Sequence, residues 1–173
     1  MWYGKGPGLD RAMDALRHAN QGGVAPHGGM VIAVGDDPTG KSSTLAYQSD
    51  QNFHSLGIPY FFPKNVSDII PMGLEAFALS RYSGCCVGLK IVVDTADSNA
   101  VVDMSKLRPS LPILKPNSLV HVTKHDPASV RESKLHDLRL PAVQTWCENS
   151  KNVAQVYLPA KKGETRLGII GVG

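Results

Sequence analysis

The chain predicts an α/β fold built on a parallel sheet with helices on both faces. Short apolar runs, Met30–Val34, Tyr60–Phe62 and Cys86–Val93, alternate with stretches of helical spacing. Parallel strands need a crossover of that kind, and it is almost always right-handed. The runs end in turn formers or charge, at Gly35-Asp36-Asp37-Pro38, Pro63 and Asp94-Thr95. In such sheets ligands lie beyond the carboxyl ends of the strands, which puts the Gly35 loop and the Asp94–Ser98 loop along one edge.

At 173 residues and 42% hydrophobic, the chain can bury the core of one domain. Seventeen glycines and twelve prolines predict many turns and few long helices. The net charge of +3 comes from scattered residues rather than a basic block, which argues against a nucleic-acid partner. Cys85, Cys86 and Cys147 have no C-x-x-C spacing, and adjacent residues of a strand point to opposite faces. They read as buried thiols in a reducing compartment. No apolar run approaches the roughly 18 residues of a membrane span, and no signal peptide opens the chain. A cytoplasmic protein without a membrane partner is expected.

In order, residues 2 to 8 read as a glycine-rich loop. Leu9 to Asn20 reads as a helix, with Leu9, Ala12, Met13, Leu16 and Ala19 on one face and a stop at Gln21-Gly22-Gly23. After the strand at Met30 and the Gly35 loop, Ser43 to Leu56 carries a broken apolar stripe and predicts a weak helix. A short strand follows at Tyr60 to Phe62. Ser67 is placed to cap a helix through Tyr82, with Pro71 in its first turn and Gly84 past its end. Residues 106 to 134 hold four prolines and read as an irregular connection. Lys134 to Asn149 predicts a helix that Pro141 interrupts or restarts, and Arg166 to Ile170 predicts a last strand. Three regions result: an α/β part over 1–105, a connection over 106–163, and the first strand of a following domain over 164–173. The chain opens straight into a loop and closes on a strand without its helix, so it reads as a piece of something larger.

Gly35 to Ser42 fits G-x-x-x-x-G-K-[ST], the phosphate-cradling loop, and the apolar strand before it suits that mechanism. Lys41 and Ser42 would then meet phosphate and Mg²⁺, with Asp94 on the metal side. The charges oppose it. Asp36 and Asp37 sit where phosphates would lie, each costing about 3 kcal/mol per phosphate charge at about 5 Å and an effective dielectric near 20. Pro38 also removes an N–H donor. Asp36 and Asp37 could instead hold backbone donors of a tight turn, or pair with Lys41.

A longer set of motifs points elsewhere. Trp2 to Arg11, Arg17-His18-Ala19-Asn20, Pro26-His27-Gly28-Gly29, Gly35-Asp36-Asp37-Pro38 and Lys41-Ser42-Ser43-Thr44 closely resemble indolepyruvate ferredoxin oxidoreductases. So do Ser80 to Cys85, Gly88-Leu89-Lys90, Asp94-Thr95, Leu135-His136-Asp137, Arg139 to Gln144 and Arg166 to Ile169, so the likeness spans nearly the whole chain. The resemblance implies a thiamine-diphosphate-binding fold, here an incomplete pyrimidine-binding domain. It implies a homo-oligomeric enzyme with thiamine diphosphate, Mg²⁺ and 4Fe-4S clusters. Such an enzyme decarboxylates an aryl 2-oxoacid oxidatively to acyl-CoA and passes electrons to ferredoxin. The family's catalytic glutamate, its diphosphate-and-metal motif and its cluster cysteines lie outside this segment, so the chain alone should be inert and no metal ligand is expected in it.

Within that reading Gly35, Asp36, Asp37, Ser42 and Ser43 fall at the cofactor cleft, and Lys5 and Arg11 toward the carboxylate of the substrate. Glycines flanking Lys5 allow close approach. His27 is either a donor at the site's edge or a turn histidine bonded to backbone. His121 and His125 share i,i+4 spacing in a proline-rich context unsuited to a metal pair. Two other classes stay open: a P-loop nucleotide binder and a non-catalytic interaction domain.

Overall fold

The computed structural model describes residues 2–3, 5–41, 44–121 and 125–150. The predicted strand at 166–170 and the candidates Ser42 and Ser43 lie outside them. Four parallel strands are ordered β1-β2-β4-β3: β1 is Trp2–Tyr3, β2 Val31–Asp36, β3 Tyr60–Phe61 and β4 Val87–Val92. Trp2–Tyr3, expected to be loop, pairs with Ala33–Val34 and forms one edge. Two residues were too few to read as a strand without the neighbour they pair with.

Alternation along β2 sorts the two faces. Ile32 and Val34 pack with Leu9 and Leu16 of α1 (Lys5–Gly22) and with Phe53 and Leu56 of α2 (Asp50–Leu56). Val31 lies on the opposite side, with Ala76 and Leu79 of α3 (Val66–Ser83) and Trp146. The predicted helix on each face is therefore present. Its boundaries differ in instructive ways. The first helix starts at Lys5 rather than Leu9, because Pro7 sits in the first turn, where its missing N–H has no helical partner to lose. The third is capped by Asn65, whose side chain accepts from Asp68 N–H, and not by Ser67. Gly23 and Gly84 take the left-handed turn at the helix ends, at φ 70° and 80°.

In β4, Gly88 is a packing requirement. A Cβ there would come within 2.7 Å of both Phe53 Cζ and Tyr60 Cβ, whose rings stack at 5.1 Å. β4 leads into a single turn, α4 (Val93–Ala96), and then into a largely irregular connection with two short 3₁₀ turns. The last segment is continuous: α5 (Ala128–Ser133), a π turn at Lys134–Arg139, and α6 (Leu140–Asn149). Pro141 does not break it. It falls at the start of α6, just after the wider π turn, where the ring and the lost donor are accommodated.

Buried polar groups tie these layers together. Asn20 Nδ2 donates to the carbonyls of Leu56 and Gly57, and its Oδ1 accepts from Cys86 N–H at 2.9 Å. The fully buried Arg139 donates to the carbonyls of Val120, Asn20 and Gln21, stapling the last helical segment to the end of α1. Glu75 of α3, also fully buried, accepts from Trp146 Nε1 and Ser150 Oγ and seats α6. No helix among the described residues is long and apolar enough to cross a membrane.

Candidate functional site

Because all four strands run the same way, their carboxyl ends share one edge. The sheet order sets Lys5, just after β1, beside Asp36 and Asp37 at the end of β2, and those beside Asp94 after β4. Gly35 approaches the backbone of Lys5, where a Cβ would stand 3.6 Å from Lys5 N. Sequence placed the Gly35 loop and the Asp94 loop along one edge; the structure brings them together there and adds Lys5, which the resemblance assigns only to the substrate side.

Their side chains are used mainly to fix the loop. Asp37 is fully buried, its Oδ1 accepting from Lys41 N–H at 2.9 Å, and its carbonyl accepts from the N–H groups of Gly40 and Tyr47. Asp36 is 2% exposed, and its Oδ2 accepts from both the N–H and the hydroxyl of Ser49. The two acids thus hold both ends of the loop between β2 and α2, the backbone-holding use that their turn context suggested. Burial raises the Asp36 carboxyl above the ordinary aspartate range, against the opposing Ser49 hydrogen bonds and the Lys90 charge. Its Oδ1 finds no donor among the described residues.

Two cations complete the edge. Lys90 rises from β4, 6% exposed, with its ammonium 2.7 Å from Asp50 Oδ2, 3.6 Å from Asp36 Oδ2 and 4.3 Å from the Phe62 ring centroid. Lys41 binds Asp94 on the neighbouring loop, and that hydrogen bond raises its pKa. Lys90 and Asp50 were missed from sequence. A lysine inside the apolar run Leu89-Lys90-Ile91 was the available signal, since a buried charge needs a partner.

The substrate candidates separate. Lys5 is half-buried, its ammonium 3.7 Å from Asp37 Oδ2, and its backbone is left-handed at φ 54°. Arg11 is exposed and donates to the carbonyl of Pro7 within its own helix. The expected close approach at Gly6 is made by protein: a Cβ there would fall 2.0 Å from Tyr47 Cδ2. Tyr47 donates to Asp10, closing the loop over the start of α1. His27 does not belong to this edge. It sits in an exposed turn before β2, at the amino end of the sheet.

Lys5, Lys41 and Lys90 face Asp36, Asp37, Asp50 and Asp94, a balance that does not attract a diphosphate. Among the described residues no group of three or more side chains could hold a metal ion. Cys85 and Cys86 are buried, with thiols pushed up by burial to about 11 and about 12, unlike thiolate ligands of a cluster. The described residues therefore do not fit diphosphate, Mg²⁺ or an iron–sulfur cluster. What they form is a stiff polar rim.

That rim also departs from a nucleotide loop. A phosphate cradle leads directly into a helix whose N–H groups face the anion. Here residues 44 to 49 are not helical, α2 begins only at Asp50, and the lysine is engaged by Asp94. No family model matches the chain, and no curated protein matches it.

Proposed function

We propose that the chain forms the pyrimidine-side α/β domain of a thiamine-diphosphate-dependent 2-oxoacid:ferredoxin oxidoreductase. The substrate would be an aryl 2-oxoacid such as indolepyruvate, with coenzyme A taking the acyl group and ferredoxin the electrons. The observation that carries the reading is the ordered run of motifs resembling that family, of which Gly35 and the charged residues Lys5, Asp36, Asp37, Lys41 and Asp94 gather at one sheet edge. A parallel sheet with helices on both faces suits it.

In this reading the thiamine diphosphate supplies the carbanion chemistry when bound, and other parts of the enzyme grip its diphosphate, metal and clusters. The residues of this chain shape one wall. Asp36 and Asp37 hold the loop rigid, the Lys41–Asp94 pair joins it to the β4 loop, and Lys5 offers a half-exposed ammonium to the substrate carboxylate.

Expression of the complete reading frame that encodes the chain tests the proposal. Viologen reduction with indolepyruvate that requires both coenzyme A and thiamine diphosphate is expected, while residues 1–173 alone give none. A preparation holding its clusters and thiamine diphosphate that turns over no 2-oxoacid would overturn it. Micromolar Mg-ATP binding that disappears in Lys41→Ala would replace it with a nucleotide-binding function.

A further inference from the structure

At the end of the sheet opposite the acidic rim, the turn before β2, the last turns of α3 and the 116–121 segment enclose a cleft of about 460 Å³. This is within the roughly 300–1,000 Å³ usual for small-molecule sites. We infer that this cleft binds a small aromatic carboxylate bearing a ring hydroxyl or N–H group. The inference is independent of the function proposed for the carboxyl edge.

Charge gives the first reason. Among the described residues no acid lines the cleft, and its one permanent charge is the Arg81 guanidinium. Arg81 Nε donates to the carbonyl of Gly28 at 3.2 Å, and Gly28 N–H in turn donates to Ala25 O at 2.9 Å, so the anchor is itself a fixed turn. Among the described residues Arg81 has no carboxylate partner. Its two terminal nitrogens are left as a planar, oriented fork, the geometry that meets a carboxylate through two parallel hydrogen bonds.

The rest of the lining selects the body of the ligand. Pro26, Ala78, Pro116 and the Tyr82 ring supply apolar walls. Tyr82 is itself braced by Trp146, with ring centroids 5.3 Å apart, so it presents a fixed aromatic surface for a second ring. His121 then distinguishes among aromatic acids. Its Nδ1 lies 2.8 Å from the carbonyl of Val24, which can only accept, so Nδ1 carries the proton. In the neutral ring Nε2 is consequently an acceptor, and a hydroxyl or N–H on the ligand satisfies it. Ser118 adds a hydroxyl that can serve either role.

A second cleft, about 850 Å³ beside α2 and the π turn, lacks this character. There Gln21 donates to Glu132, His136 pairs with the same carboxylate, and Arg17 donates to the carbonyl of Ser55.

Calorimetric titration of the chain with 4-hydroxyphenylacetate tests the inference, with 4-hydroxyphenylacetamide and acetate as controls. Saturable binding is expected, weakened roughly tenfold or more by Arg81→Gln and in the amide, the scale of losing a charge-assisted hydrogen bond. Arg81→Lys should recover only part of it. Ser118→Phe, on an exposed turn, fills the cleft while leaving Arg81 in place, and should also remove binding with the far-ultraviolet circular dichroism unchanged. Absence of saturable binding at millimolar probe overturns the inference. So does binding that the amide or acetate matches, or that Arg81→Gln and Ser118→Phe leave intact.

Discussion

Lys90, within β4, and Asp50, the first residue of α2, meet at 2.7 Å and join the central sheet to that helix. Lys90 also lies 3.6 Å from Asp36, which is 2% exposed and has one oxygen without a donor among the described residues. The lysine is the charge that makes a buried carboxylate tolerable at this place.

Lys90→Met should therefore destabilise the chain by about 3–5 kcal/mol, the usual cost of breaking a buried pair from one side. Urea unfolding checks this. Adding Asp36→Asn to Lys90→Met should restore part of the loss, because the uncompensated charge is then gone. A double variant no more stable than Lys90→Met alone would show that Asp36 is not the group Lys90 balances.

Asp50 also accepts from the Tyr60 hydroxyl at 2.6 Å. Burial, and then that hydrogen bond and the Asp50 charge, push the Tyr60 phenol up to about 12. The unfolded chain ionises this group near the ordinary value of about 10. The resulting stabilisation is fully present below pH 10 and is lost as pH rises from about 10 to about 12. The difference in alkaline absorbance titration between the chain and Tyr60→Phe should show a late-titrating phenol. Asp50→Asn should bring it down, and an unmoved titration would contradict the assignment.

Glu75→Leu should cost about 1–3 kcal/mol, because it leaves the buried Trp146 N–H without its acceptor. Loosening of α6 from α3 should appear as a red-shifted tryptophan emission in the native baseline. Glu75→Gln keeps a carbonyl acceptor and should retain most of the stability.

Gly6→Ala should displace the loop over α1, since the new methyl would occupy the Tyr47 ring. A loss of about 1–3 kcal/mol is expected from such overpacking. Combining it with Tyr47→Ala should make the Gly6→Ala change nearly neutral, a non-additivity that a double-mutant cycle reads directly.

Much of the frame is legible in local chemistry. Apolar runs of strand length, helical spacing between them, and glycines at 23 and 84 carry their structural consequence within a few residues. Errors arise where a neighbour decides. Trp2–Tyr3 is a strand only because β2 lies beside it, and Lys5-Gly6-Pro7-Gly8 is helical although glycine and proline locally suggest a loop. Residues 44 to 49, expected within a helix, are not helical because their backbone is held elsewhere, at Ser49 by the Asp36 carboxylate and at Tyr47 by the Asp37 carbonyl.

The α/β alternation and the placing of Gly35, Asp36, Asp37 and Asp94 at strand ends are written in local residue order, through apolar runs and turn chemistry. Which charges neutralise which depends instead on the packed fold. Lys90 and Asp50 are 40 residues apart and Lys41 and Asp94 are 53 apart. Parallel strands deliver these distant residues to neighbouring positions; the buried Lys90 needs its partner because an unpaired buried charge is costly, whereas the Lys41–Asp94 pair is exposed to solvent.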